Sequence, residues 1–428
     1  MKIIINPKKY SWSELLARPS LDNRFLERTV ASIISDVREH GDAALRHCAK
    51  QFDKLEIEEF QVSVAEFGEA EDAVPADLKE AIEIAKRNIE IFHKTQIEEE
   101  RRVETMPGVE CWRRAVPVDR VGLYIPAGTA PLFSTVLMLA IPAKLAGCRE
   151  IVLCSAPGPD LKINPATLYA ARVCGVEKIY KTSGAQAIAA MAFGTQTVPK
   201  VDKIFGPGNQ YVTEAKMQVM KLGTAIDMPA GPSEVAIYAD ETSIPAFVAA
   251  DLLSQAEHGP DSQVLLVTKS EEVADAVVRA VESQSSDLPR KDIATIALEN
   301  SKVVVFNDLE SALEFLNEYA AEHLILATND ADSLAERITN AGSVFLGNLS
   351  CESAGDYASG TNHTLPTNGW ARSFSGVSLD SFVKKITYQR ISEQGLRSIG
   401  PAIETMATAE ELEAHRRAVS IRLEAIGR

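Results

Sequence analysis

The sequence predicts an α/β protein, and three observations carry that prediction. From residue 119 onward, short β-branched runs alternate with helix-like stretches, the signature of a parallel sheet covered by helices. The helix-like stretches PLFSTVLMLAIPAKLAG, NPATLYAARVCG and AQAIAAMAFG each close on a glycine, where a helix ordinarily stops. The chain has 428 residues, 46% hydrophobic and 24% charged. That is a globular composition with length for two or three domains at about 150 residues each.

Taken in order, the first ~115 residues read as helical, because LDNRFLERTVASIISDVREHGDAALRHCAKQFD and LKEAIEIAKRNIEIFHKTQ repeat apolar residues at helical spacing. Within them His40, His47 and His93 read as surface histidines. DRVGLYIP, EIVLCSAP, VEKIYKTS and VDKIFGPG are strand candidates, followed by a second series: VAIYAD, QVLLVTK, KVVVFND, HLILATN and SVFLGN, with helices between. The two series give α/β units of similar size, over 119–230 and 235–348. After 348 the chain reads as loop, with Asp356 in it, and it ends in a charged helix for which Thr408 and Glu411 are spaced as a capping box.

Lys and Arg number 44 against 60 Asp and Glu, a net charge of −16, which repels nucleic acid and anionic membranes. The apolar run at the N-terminus is too short for a signal peptide, and Pro142 and Lys144 interrupt the greasiest stretch, so a cytoplasmic protein is expected. Cys48, Cys111, Cys148, Cys154, Cys174 and Cys351 form no CxxC pair, which points to free thiols and leaves any metal to His, carboxylate or amide ligands.

No G-x-G-x-x-G and no Walker lysine loop is present. Two glycine-bearing turns remain, Tyr124 to Gly128 and Phe205 to Asn209. The second stands where a strand hands over to a helix, so it is either a phosphate cradle or simply a tight turn. Gln255 and His258 are three apart at a helix end stopped by Gly259-Pro260. They share one face there, as half of a metal site or as the polar end of an ordinary helix. Asp356, in a loop, is able to reach a metal held there, and His415 lies in the C-terminal helix beside Arg416 and Arg417; an imidazole pair, a carboxylate and an amide oxygen would suit zinc. Glu322-His323 precedes LILAT directly; at the irregular start of a strand both can face one site as a general acid/base pair.

YIPAG, SGAQAIAA, FGPGNQYV, DMPAGPSE, SQAEHGPDSQ, AAEHL, ESAGDYASGTNHTLPT and the terminal E-x-x-x-x-H together resemble histidinol dehydrogenases over nearly the whole chain, in order and spacing. The resemblance implies one zinc per subunit on Gln255, His258, Asp356 and His415, with Glu322 and His323 as the acid/base pair. It implies substrate contacts from Ser233, His363 and Glu410 as well as from His323 and the zinc ligands, and NAD contacts from Tyr124, Gln186 and Asn209. The implied fold is two incomplete Rossmann-like domains with small terminal segments that intertwine a homodimer. Its parts would be an arm over 1–20, a first domain over 21–118 plus 235–375 carrying the zinc and acid/base residues, a second over 119–234 carrying the NAD contacts, and a helical tail over 376–428. That tail would bring Glu410 and His415 into the partner's site.

Thr361 and Cys351 stand where the family is expected to have proline. The reaction implied is oxidation of L-histidinol through the aldehyde to L-histidine, with two NAD used in turn. The rivals are a related dehydrogenase of a sulfonated propanediol or sulfolactate, which Glu410 disfavours because a carboxylate repels a sulfonate, and a zinc hydrolase. A cysteine thiohemiacetal would have to use Cys351, which has no neighbouring base in the sequence.

Overall fold

The computed structural model describes residues 1–18, 23–127, 130–229 and 231–427. Pro19 and Ser20 of the arm, Gly128 of the YIPAG turn and Ala230 of the AGPSE stretch lie outside the described residues. The chain divides into two compact units, one of Met1–Gln96 with Val118–Phe382, the other of Ile97–Pro117 with Val383–Arg428.

Two parallel sheets organise the larger unit. One contains β4 (Arg120–Ile125), β5 (Glu150–Ser155), β6 (Lys178–Lys181), β7 (Lys203–Phe205) and β8 (Ala225–Ile226), in the order β6-β5-β4-β7-β8. The other contains β1 (Lys2–Ile5), β9 (Glu234–Ala239), β10 (Gln263–Thr268), β11 (Lys302–Val305), β12 (His323–Ala327) and β13 (Ser343–Leu346), in the order β1-β11-β10-β9-β12-β13. Leaving β1 aside, both run outward from a central first strand and then reverse to its other side. That is the Rossmann arrangement, with a topological switch point beside β4 in one sheet and beside β9 in the other. Their strands are continuous apolar runs because helices cover both faces.

The lead-in helices pack on the five-stranded sheet, and the second of them also meets the 235–375 segment, where Asn88 donates to Ala358 O at 2.8 Å. Leu26, Val30, Ile34 and Leu45 join a core with Ile188 and Val212, while Ile82 and Ile89 join one with Leu137 and Leu153. His93 is likewise no surface residue. It is fully buried, with Nδ1 3.0 Å from the Ile89 carbonyl and Nε2 3.4 Å from the Asn362 amide. The helix face that carries it is covered by a loop more than 250 residues later, which periodicity alone does not reveal.

The expectation of an all-helical start also needs correction. Lys2–Ile5 is a strand paired in parallel with β11. β2 (Arg102–Met106) and β3 (Val109–Pro117) form an antiparallel sheet with β14 (Val383–Ile391), in which Trp112 stacks on Tyr388 at 5.4 Å. This sheet and the helices Glu393–Ala409 and Glu413–Ala425 make up the smaller unit. The expected capping box is absent: the Thr408 hydroxyl donates to Glu404 O at 2.7 Å inside the first helix, and Glu411 turns left-handed at φ 58° between the two. No helix among the described residues is long and apolar enough to cross a membrane.

Candidate active site

A cavity of about 920 Å³ opens in the larger unit, and its walls include Tyr124, Gln186, Asn209, Ser233, His258 and Glu322. The five-stranded sheet contributes its carboxyl edge, the usual ligand end of such a sheet. Tyr124 is near the end of β4, and its phenol oxygen accepts from the Gly184 amide at 3.2 Å, at the start of the helix that carries Gln186. Burial pushes the Tyr124 phenol up to about 12, so it stays neutral. After β7 the turn at Gly206 has φ 131°, and a Cβ there would stand 2.2 Å from Tyr124 O. Only glycine allows the two strand ends to approach so closely.

A buried ion pair holds that turn. Lys216 Nζ is 2.5 Å from Asp227 Oδ1 and donates to Gly206 O at 2.9 Å, while Asp227 Oδ2 accepts from Gly206 N at 2.8 Å. Asn209 caps the helix Gln210–Lys221 with its Oδ1, accepting from the amides of Tyr211 and Val212.

The six-stranded sheet contributes its amino edge instead. Ser233 precedes β9, Gln255 and His258 come from the end of the helix Pro245–Ala256 ahead of β10, and Glu322-His323 opens β12. Glu322 Oε2 accepts from Glu234 N at 2.9 Å, and Arg18 of the N-terminal arm grips the Glu234 carboxylate at 2.8 and 3.0 Å. Asp356 is not in a loop: ESAGDY forms a short helix, Glu352–Tyr357. Residues four apart on a helix share a face, so Glu352 comes in alongside Asp356.

His323 stands among three carboxylates. Nδ1 is 3.7 Å from Glu322 Oε2 and 3.8 Å from Glu352 Oε1, and Nε2 is 3.4 Å from Asp356 Oδ1. Although Nε2 and Asp356 Oδ1 are close enough to pair, they are not aligned as a hydrogen bond, and both atoms are buried without a partner. Burial pushes Glu322 up to about 8, with His323 partly opposing. Burial works to lower His323, but Glu352, Glu322 and Asp356 outweigh it and bring the imidazole to about 10. Glu352 is pushed well above the carboxylate range by burial. Desolvation by the crowded walls lowers His258 even though its ring is exposed to the cavity, and Asp356 opposes that shift.

Orphaned polar atoms are concentrated here. Both amide atoms of the fully buried Gln255, both ring nitrogens of His323, both oxygens of Glu352 and Oδ1 of Asp356 lack hydrogen-bond partners. Unpaired buried groups are costly, and a surplus of such oxygens beside imidazoles is what a cation relieves. His323, Glu352 and Asp356 have ligand atoms within 4.8 Å of one another; Gln255, His258 and Asp356 add amide, imidazole and carboxylate donors that suit zinc.

Comparison with known proteins gives matches over nearly the whole chain. The histidinol dehydrogenase family model covers residues 16–423. Histidinol dehydrogenase of Bacteroides fragilis (strain YCH46) is 59% identical over 426 residues, covering 100% of both chains. That of Escherichia coli (strain K12) is 51% identical over 416 residues, covering 96% of this chain and 95% of its own. The crystal structure of histidinol dehydrogenase from Elizabethkingia anophelis superposes with a TM-score of 0.97 at 54% identity, covering 100% of this chain and 99% of that one.

The chain belongs to the histidinol dehydrogenase family. It is thus an NAD-dependent oxidoreductase of histidine biosynthesis. Of the residues singled out in the sequence, the larger unit brings Tyr124, Gln186, Asn209, Ser233, His258 and Glu322 onto one cavity, with His323, Asp356 and His363 near His258 and the buried Gln255 one helical turn before it. Glu410 and His415 belong to the smaller unit, where both are exposed.

His363 has both ring nitrogens engaged by the protein, so a direct polar contact with substrate would require one bond to break. Cys351 precedes the helix Glu352–Tyr357 at φ −75°, an angle proline itself adopts, so its presence leaves the backbone path unchanged. Reading the sequence missed Glu352, Arg18 and Glu234. Glu352 was recoverable from the ESAGDY spacing once that stretch is taken as helical, whereas nothing local marks Arg18.

Proposed function

We propose that this chain oxidises L-histidinol to L-histidine with two NAD in turn, using zinc held by Gln255, His258, Asp356 and His415. The observation that carries the reading is one cavity that joins Tyr124, Gln186 and Asn209 to Glu322 and His258, beside the orphaned atoms of Gln255 and Asp356. When bound there, zinc would supply Lewis-acid anchoring of the substrate. The Glu410 and His415 pair would come from the partner subunit of an intertwined homodimer, a role that suits their exposure. We place the reaction in the cytoplasm, in keeping with six cysteines that form no disulfide.

In the first step His323, which would be neutral once a bound cation offsets the Glu352, Glu322 and Asp356 carboxylates that raise it, takes the hydroxyl proton as the carbinol carbon gives a hydride to NAD, leaving the aldehyde. Glu322, anchored by the Glu234 amide, draws a proton from water as its oxygen adds to the aldehyde carbon. His323, its first proton released to solvent as NADH is exchanged for a second NAD, then takes a proton from the hydrate while that NAD receives the second hydride, and the carboxylate forms. Ser233, His323 and Glu410 orient the substrate, and the Tyr124, Gln186 and Asn209 group receives each NAD. Holding the carbinol carbon against the nicotinamide is positioning work.

The experiment is NADH formation with limiting L-histidinol and excess NAD, before and after chelation. Two NADH per histidinol, lost on chelation and restored by zinc, is the expected result. NADH from a sulfonated diol but not from histidinol would transfer the activity to the rival branch.

A further inference from the structure

Thr135, His363 and the backbone of Asp356 form a hydrogen-bonded chain that the reaction above leaves unused. Thr135 sits in the first turn of the buried helix Ser134–Ala146 and is 1% exposed. Its Oγ1 is 3.1 Å from His363 Nε2, and His363 Nδ1 is 2.9 Å from Asp356 O. A carbonyl oxygen only accepts, so Nδ1 carries a proton and donates. A threonine hydroxyl both donates and accepts, so it pairs with Nε2 whether or not that nitrogen is protonated. The imidazole is therefore clamped at both ends in either state.

The carbonyl so held belongs to Asp356, near the end of a six-residue helix whose first turn has no side-chain cap. The last carbonyls of a helix have no partner within it, and a helix this short does little to fix its own terminal residues. The Asp356 carboxylate projects from that same residue with Oδ1 buried and unpartnered, so the backbone clamp sets where the carboxylate points.

We propose that Thr135 is a positioning residue which, through His363, fixes the Asp356 carboxylate for the metal. This rests on the reading of Asp356 as a zinc ligand. Partners of metal ligands characteristically contribute about 10- to 100-fold in metal affinity.

The test compares full-length parent, Thr135→Val and Thr135→Ser. Zinc affinity is read by competition with a chromophoric chelator, alongside KM for NAD and the thermal midpoint of the zinc-free protein. Thr135→Val, which keeps the shape and removes the hydroxyl, is expected to weaken zinc binding about 10-fold or more. KM for NAD and the zinc-free midpoint should stay at the parental values, and Thr135→Ser should regain parental zinc affinity. Should the valine variant not fold, Thr135→Ala serves in the same comparison. Parental zinc affinity in Thr135→Val, or equal loss in the serine variant, would overturn the inference alone. A parent that binds no zinc would overturn the metal reading itself and the inference with it.

Discussion

The two parallel sheets share one strand order yet serve the site from opposite ends. The five-stranded sheet offers its carboxyl edge, where the polar groups are already satisfied: Tyr124 by Gly184, Asn209 by the helix it caps, and Gly206 by Lys216 and Asp227. The six-stranded sheet offers its amino edge, where Gln255, His323, Glu352 and Asp356 are left without partners. A self-satisfied surface suits a ligand that must leave after each hydride transfer. An orphaned cluster suits a cation that stays, because removing it restores the cost of every unpaired group.

That division can be broken most sharply at the acid/base pair. Glu322→Gln and His323→Asn are each expected to lower kcat by about 10² to 10⁴ while KM for NAD and zinc content hold. Equal loss of NAD binding would show that the two edges do not act separately. On the cofactor side, Lys216→Met strands a buried carboxylate and should cost about 3 to 5 kcal/mol in denaturant unfolding. KM for NAD should rise as the Gly206 turn loses its tie, with zinc affinity unchanged.

Gly206→Ala forces a side chain into a left-handed position and against Tyr124 O. A stability loss of about 1 to 3 kcal/mol, again with zinc retained, would sharpen the contrast. The smallest effect is expected at sulfur. Exposed Cys351 should label with a thiol reagent under native conditions. Cys174, pushed up to about 12 by burial, and Cys154, pushed higher still by the same cause, should not. Cys351→Ala should leave both oxidation steps intact; an aldehyde step lost in that variant would revive a thiohemiacetal route.

Strands and helices of the two sheets were legible because their periodicity and glycine stops are local. The Gln255-x-x-His258 pair and Glu322-His323 were legible for the same reason, since each lies at an element end that the pattern marks. The strand Lys2–Ile5 was not, because four residues earn that state only by pairing with a strand some 300 residues away. Burial of His93 and the helical state of ESAGDY were equally hidden, since both depend on what later segments lay over them.

By itself, the sequence determined the α/β class, the order of the elements and the chemical types available for catalysis, since backbone propensity and side-chain chemistry belong to residues taken singly or a few apart. Only the tertiary structure decided that Arg18 grips Glu234 beneath Glu322, that Glu352 joins His323, and that Thr135 reaches His363. Those pairings bring together buried side chains from distant segments, where an unpaired charge is expensive, and that cost exists only once the chain has folded around them.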